Sequence, residues 1–235
     1  MKNNIKTYTD KYGHKIVDEY NENEKLYKIT LYQEDGKTIK FIEEYNENQK
    51  LVKSTIYQDD GKTIYYIEEY NENEKLIKIT KYQDDGQTIQ FVSEFNNNET
   101  LVKKTIYQSD GKTVKKIIKY NYDRTVDYIE EYTKNGKLVK ETIYQDDGKT
   151  IWFIQEYNQN GQIIKLTKYH PDVKTIWEIN EFNENEKLIK STFYKLDGTI
   201  SKITNYNPDK TKIITEYNLD GTIKNVVEHK KTTKK

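Results

Sequence analysis

Carboxylates make up most of the groups in this chain that could do chemistry. The segment Asp59-Asp60-Gly61, with Glu68 beyond it, has the composition of a calcium loop. An EF-hand loop needs oxygen ligands at alternate positions between two helices, and neither accompanies this segment. An Asp just before a Gly also shapes a tight turn with its own carboxylate, and the sequence supports that reading. The pairs Glu43-Glu44 and Glu68-Glu69 have the residue types of a glycosidase acid and base. Neighbouring strand residues point to opposite faces, so neither pair can flank one glycosidic bond. His14, His170 and His229 are too scattered for a metal centre or a triad. There is no Gly-rich phosphate loop. The absence of Cys removes thiolate ligands, thiol nucleophiles and disulfides. These residues imply no catalytic, cofactor-binding or metal-ligating set, and no enzyme.

Three aromatic residues are better candidates. Trp152 and Trp177 lie 25 residues apart, and Tyr65 holds the same place in an earlier copy of the surrounding pattern. Exposed rings on a rigid sheet are good anchors for a partner. The alternative is that both Trp fill a local dip or belong to the core.

The elements that must position these rings are repeats. Tyr57-Gln58-Asp59-Asp60-Gly61 recurs unchanged at 82–86 and 144–148, with one change at 32–36 and 107–111, and degraded at 169–173 and 194–198. A second anchor, Tyr20-Asn21-Glu22-Asn23-Glu24-Lys25-Leu26, alternates with it and returns at 45–51, 70–76, 95–101, 157–163 and 182–188. Together the aromatic anchors from Tyr8 to Tyr217 define 18 half-units, nearly all 12 or 13 residues long. That spacing fits one strand plus one tight turn. The segments between turns are rich in β-branched and aromatic residues, and all ten Gly fall at or beside a turn. The predicted fold is all-β: an elongated, twisted antiparallel meander of tandem β-hairpins, with about 12 residues per strand and turn. One continuous array spans 1–228, with an extra half-unit at 120–131, and the basic tail 229–235 is expected to be disordered. The extra half-unit should place the Gln-type turns from Tyr32 to Gly111 along one edge and those from Tyr144 onward along the opposite edge.

Parity sets the register. For a residue type to keep its face through a 25-residue repeat, one loop must be odd and the other even. The Asp-Asp-Gly loop suits three residues, closed by Gly61 in the left-handed region, and the Asn-Glu-Asn-Glu loop would supply two or four. Ile39, Phe41 and Tyr45 then share an apolar, buried face with Val52 and Ile56. Thr38, Lys40, Ile42, Glu44, Lys53, Thr55 and Tyr57 lie on a wet face. Tyr65, Trp152 and Trp177 fall on the wet face in this register.

Composition narrows the classes further. Lys and Arg number 39 and so do Asp and Glu, so no net field favours nucleic acid. Apolar residues reach only 34%, thin for a layered globule, although 22 Tyr add ring surface. No segment approaches the roughly 18 apolar residues of a transmembrane helix. The start, Met1-Lys2-Asn3-Asn4-Ile5-Lys6, shows no apolar signal region, which points to the cytoplasm. There is no Ala, and Arg124 is the sole Arg, a skew typical of AT-rich coding.

At these anchors the chain resembles the uncharacterised Tyr- and Lys-rich repeat proteins of phytoplasmas and related mollicutes (domain of unknown function 2963), over roughly Tyr8 to Gly221. A looser similarity is to MORN-type repeats, without their regular Gly after the aromatic. The first resemblance implies no activity and no functional residue. The expectation is a non-enzymatic scaffold that binds a protein partner, a host protein among the candidates. The second expectation is an envelope or surface module that binds glycan or lipid through its aromatic face.

Overall fold

A computed structural model describes residues 4–171 and 175–230. The end of the degraded pentad at 169–173 and residues 231–235 of the basic tail lie outside the described residues. Among those described there are nineteen strands and no helix. They fall into two compact units, Met1–Ile117 and Ile118–Lys235. Unit 1 contains β1 (Asn4–Thr9), β2 (Lys15–Tyr20), β3 (Leu26–Tyr32), β4 (Ile39–Tyr45), β5 (Leu51–Tyr57), β6 (Ile64–Tyr70), β7 (Leu76–Tyr82), β8 (Ile89–Phe95) and β9 (Leu101–Tyr107). The division runs through β10 (Val114–Tyr120). Unit 2 contains β11 (Val126–Tyr132), β12 (Leu138–Tyr144), β13 (Ile151–Tyr157), β14 (Ile163–Tyr169), β15 (Ile176–Phe182), β16 (Leu188–Tyr194), β17 (Ile200–Tyr206), β18 (Lys212–Tyr217) and β19 (Ile223–His229).

Within each unit every strand pairs antiparallel with the next in chain order, a meander of hairpins. The aromatic anchor is the last residue of every strand from β2 to β18. The nineteenth strand has no such anchor, ending instead on His229, which is why counting Tyr and Phe stops at 18. In unit 1 the Gln-type turns follow odd-numbered strands. In unit 2 the one after Tyr144 follows β12, as the extra half-unit requires.

Loop lengths are the reverse of the parity expectation. The Asn-type loop is the odd one: Asn46 N–H donates to Lys50 O at 2.9 Å, leaving residues 47 to 49 between them. The Gln-type loop is the even one: Gln58 N–H donates to Thr63 O at 2.8 Å, leaving residues 59 to 62. The first side chain explains the first case, since Asn46 Oδ1 accepts from Asn48 N at 2.9 Å and Lys50 N at 3.0 Å and closes a short loop. Asp60 explains the second, because its Oδ1 accepts from Lys62 N at 2.9 Å and Thr63 N at 2.8 Å, and its Oδ2 from the Thr63 hydroxyl. That carboxylate holds the fourth residue in place. Gly61 is in the left-handed region as expected, with φ 67°.

A bulge beside nearly every turn adds a second departure. Glu44 faces Lys53 but Tyr45 faces Leu51, so Val52 is the extra residue. Ile56 faces Tyr66 but Tyr57 faces Ile64, so Tyr65 is the extra residue. Each bulge slips the alternation once and lets an anchor aromatic pair with an aliphatic residue across the turn, as in Tyr45–Leu51, Tyr70–Leu76 and Tyr132–Leu138. Phe41, Ile56 and Tyr45 share a face as expected. Ile39 does not join them by simple alternation, because the bulge at Lys40 pairs it with Tyr32.

The expected dry face is absent. No hydrophobic side chain is buried among the described residues. The buried side chains are polar: Ser191, the least exposed, with Ser54, Ser93, Asp18, Glu178 and Asn180, and a row of Thr that includes Thr30, Thr55, Thr80 and Thr105 in unit 1 and Thr142, Thr167 and Thr192 in unit 2. Each of these Thr stands mid-strand beside aliphatic neighbours, in ladders such as Val17–Thr30–Ile42–Thr55–Ile67–Thr80–Val92–Thr105. A sheet layer with nothing packed on it cannot bury a large apolar side chain. It can bury a Thr flanked by β-branched residues on the pleat. Stability must therefore come largely from cross-strand pairs, each contributing about 0.2–1 kcal/mol.

Charge follows the same ladder logic two residues along the strand, on the Thr face. The row Glu19–Lys28–Glu44–Lys53–Glu69–Lys78–Glu94–Lys103 alternates in sign across unit 1. Lys53 meets Glu44 at 2.7 Å and Lys78 meets Glu69 at 2.6 Å. These pairs are well exposed and individually weak.

Candidate functional site

The turn carboxylates are occupied by their own turns. In the first Gln-type turn the Thr38 hydroxyl, with the N–H groups of Thr38 and Lys37, holds the Asp35 carboxyl down at about 2. Asp60, Asp85, Asp110 and Asp147 are lowered by the same contacts, the Thr hydroxyl first. No group of three or more His, Asp or Glu able to hold a metal ion occurs among the described residues. Glu43 and Glu44 separate as strand alternation demands: Tyr45 Oη donates to Glu43 Oε2 at 2.6 Å, while Glu44 pairs with Lys53 on the other face. His14 sits 3.1 Å from Asp10 in a turn, and His170 stands beside Trp177 with ring centroids 6.4 Å apart.

A recurrent Tyr–carboxylate contact was written in the sequence as Glu-x-Tyr. Tyr70 Oη donates to Glu68 Oε2 at 2.7 Å and Tyr132 Oη to Glu130 Oε2 at 2.7 Å. Burial, and then the accepting carboxylate, push the phenols of Tyr45, Tyr70 and Tyr132 well above the usual tyrosine range. Burial and Glu141 push Tyr157 up to about 12. Within each unit these phenols are locked donors on one face.

Tyr65, Trp152 and Trp177 all occupy the bulge position. Trp152 is extra between the pairs Tyr144–Ile151 and Ile143–Phe153, and Trp177 between Tyr169–Ile176 and Lys168–Glu178. All three are exposed, at 47%, 57% and 45%, so none is core. Their face is not the one expected. Trp152 and Phe153 have ring centroids 5.3 Å apart at 63°, and Tyr65 and Tyr66 are also 5.3 Å apart. Consecutive residues of a regular strand point to opposite faces and cannot bring their rings that close. The bulge therefore turns each exposed ring onto the face of its successor, which carries Tyr66–Ile56–Phe41 in unit 1 and Phe153–Ile143 in unit 2. The slip that produces this is not visible in period-2 alternation.

Polar groups surround the unit 2 rings. Lys168 lies across from both Phe153 and Glu178, meets Glu178 at 2.8 Å, and stands 5.8 Å from the Trp177 ring. A shallow cleft beyond Trp177 is lined by Phe193, Ser201, Lys202 and Glu216. No helix of the described residues is long and apolar enough to cross a membrane.

Comparison with known proteins adds a family. The family described as protein of unknown function (DUF2963) matches at residues 8–56, 57–106, 120–168, 144–193 and 169–216. No curated protein matches. Among solved structures, the GtfA/B complex bound to UDP and GlcNAc is similar at 15% identity and a TM-score of 0.33, over 44% of this chain and 22% of that one. TcdB2-TccC3 is similar at 13% identity and a TM-score of 0.26, over 94% of this chain and 15% of that one. A porin-like protein from Bacteroides uniformis is similar at 8% identity and a TM-score of 0.23, over 95% and 91%. Likeness this weak says nothing of function.

Proposed function

The chain belongs to the family of proteins of unknown function DUF2963, and from that premise we propose that it is a non-enzymatic repeat scaffold that binds a protein partner. One observation carries the reading: among the described residues no hydrophobic side chain is buried, while bulges present Tyr65, Trp152 and Trp177 as exposed rings. Large exposed aromatics on a rigid frame serve binding better than folding. The carboxylates that might serve catalysis are instead committed to turns, Lys pairs and Tyr pairs.

The test is capture of partners by immobilised protein, comparing wild type with a Trp152→Ala/Trp177→Ala variant of unchanged circular dichroism. A partner retained by wild type and released by the variant supports the scaffold. Retention indifferent to these rings and to Tyr65→Ala would remove its basis. A second reading, a glycan or lipid held by the aromatic face, is favoured by the indole pair flanked by Lys168 and Glu178.

A further inference from the structure

We infer that Trp152 and Trp177 form a carbohydrate-binding site for an extended β-1,4-linked hexopyranose chain, either free or carried by a protein partner. This rests on the scaffold reading and names the chemical group its indoles grip.

The rings have the qualities that stacking on sugar requires. A hexopyranose offers a flat face of C–H groups with hydroxyls around its rim, so it is held by an open aromatic plane with polar groups beside it. Both indoles are open, at 57% and 45% exposure. Both also have close neighbours: the Phe153 ring stands edge-on to Trp152 at 5.3 Å, and Lys168 and His170 lie 5.8 and 6.4 Å from Trp177.

Spacing selects the polymer. Trp152 on β13 and Trp177 on β15 hold the same bulge position two strands apart, which at the usual strand separation is about 10 Å. In a β-1,4 chain successive rings alternate in orientation, so every second sugar presents the same face, one disaccharide length along. That length is close to two strand spacings. A chain running across the strands would place alternate sugars on the two indoles. The sugar between them would lie over β14, where the half-exposed Lys168, held at 2.8 Å by the buried Glu178 of β15, offers a donor to a hydroxyl group. Past Trp177 the cleft continues with Phe193, Ser201, Lys202 and Glu216, which extends the same mixture of aromatic and polar contacts.

Charge argues for a neutral chain. Lys168 is neutralised by Glu178, so the site has no excess positive charge to recruit an acidic polysaccharide or a nucleic acid. A protein hot spot would also use Trp, but it would not require two indoles at a fixed interval.

The experiment is a calorimetric titration with cellohexaose and chitohexaose, and with their disaccharides as short controls. One hexasaccharide should bind roughly tenfold or more tightly than its disaccharide, because only the longer chain reaches both rings. Trp152→Ala and Trp177→Ala should each reduce the hexasaccharide to disaccharide affinity, while Trp152→Phe and Trp177→Phe retain most of the gain. Absence of any response to either hexasaccharide, or equal binding by the double Ala variant, overturns the inference. Glycosidase treatment of a captured partner separates the two sources. Loss of Trp-dependent capture places the chain on the partner, and binding of free hexasaccharide without such loss makes the polymer itself the ligand. If Trp-dependent capture survives deglycosylation and no oligosaccharide binds, the sugar inference fails while the scaffold stands.

Discussion

The Glu74 carboxylate accepts from the backbone N–H of Leu51 at 3.3 Å, 23 residues earlier, and its other oxygen meets Lys50 Nζ at 3.0 Å. Glu74 achieves this from a left-handed backbone, φ 57°, a conformation that costs any residue but Gly. Glu99 does the same toward Leu76 and Lys75. Elsewhere the equivalent turn position is a Gly, as at Gly136 and Gly161. The glutamates thus exchange backbone comfort for a link between successive turns of one edge.

That exchange sets an order of stabilities. Glu74→Ala keeps the unfavourable φ and loses both contacts, so it should be the least stable form. Glu74→Gly loses the contacts but relieves the backbone, and should lie close to wild type. Urea midpoints of the three proteins would check the order. Ala equal to wild type would show that the carboxylate link contributes nothing.

Gly36 and Gly61 separate backbone strain from turn-to-turn packing. Both close Gln-type turns at nearly the same φ, 66° and 67°. A Cβ at Gly36 meets nothing within 4 Å, whereas one at Gly61 falls 2.7 Å from Ile39 N. Gly36→Ala should cost about 1 kcal/mol for φ alone. Gly61→Ala should cost a further ~1–3 kcal/mol, because the preceding turn must move away. Chemical denaturation of the pair measures the difference.

Acid should weaken the Gln-type turns in a defined window. The Asp35 carboxyl is depressed from 3.8 to about 2 in the folded chain. A depressed carboxylate stabilises the fold fully above its unfolded value, and that contribution disappears as pH falls through the folded one. Loss should therefore begin below about pH 4 and run toward pH 2, shared by Asp60, Asp85 and Asp110, whose values are also lowered. Thermal melts across this window should show a steady fall. Thr63→Val, which removes the hydroxyl on Asp60, should make the fall shallower.

Trp152→Ala should scarcely change stability, since the ring is 57% exposed and its main contact is the Phe153 edge. The loss should be no more than the ~0.5–1.5 kcal/mol of an aromatic pair. A fall of several kcal/mol in thermal or urea unfolding would mark the ring as structural and remove it from the binding face.

Much of this protein was legible in the residues alone. The 12- to 13-residue anchor spacing, the turn Gly and the β-branched runs between them determine an antiparallel meander of hairpins, and the repeat matches the family over both units. These features are local: each strand answers only to its neighbours, so pattern suffices. Register was different. Asp60 in Asp-Gly-Lys-Thr marks a four-residue loop and Asn46 a three-residue one, a signal that was present but outweighed by the Gly. The bulges left no mark in the sequence, because they arise where hydrogen-bonded ladders must meet loops of given length. They alone decide that Tyr65, Trp152 and Trp177 turn onto the faces of Tyr66, Phe153 and Glu178. Sequence determined that these rings recur in phase. Only the paired strands decided which way they point, because one extra residue in a ladder reverses every face beyond it.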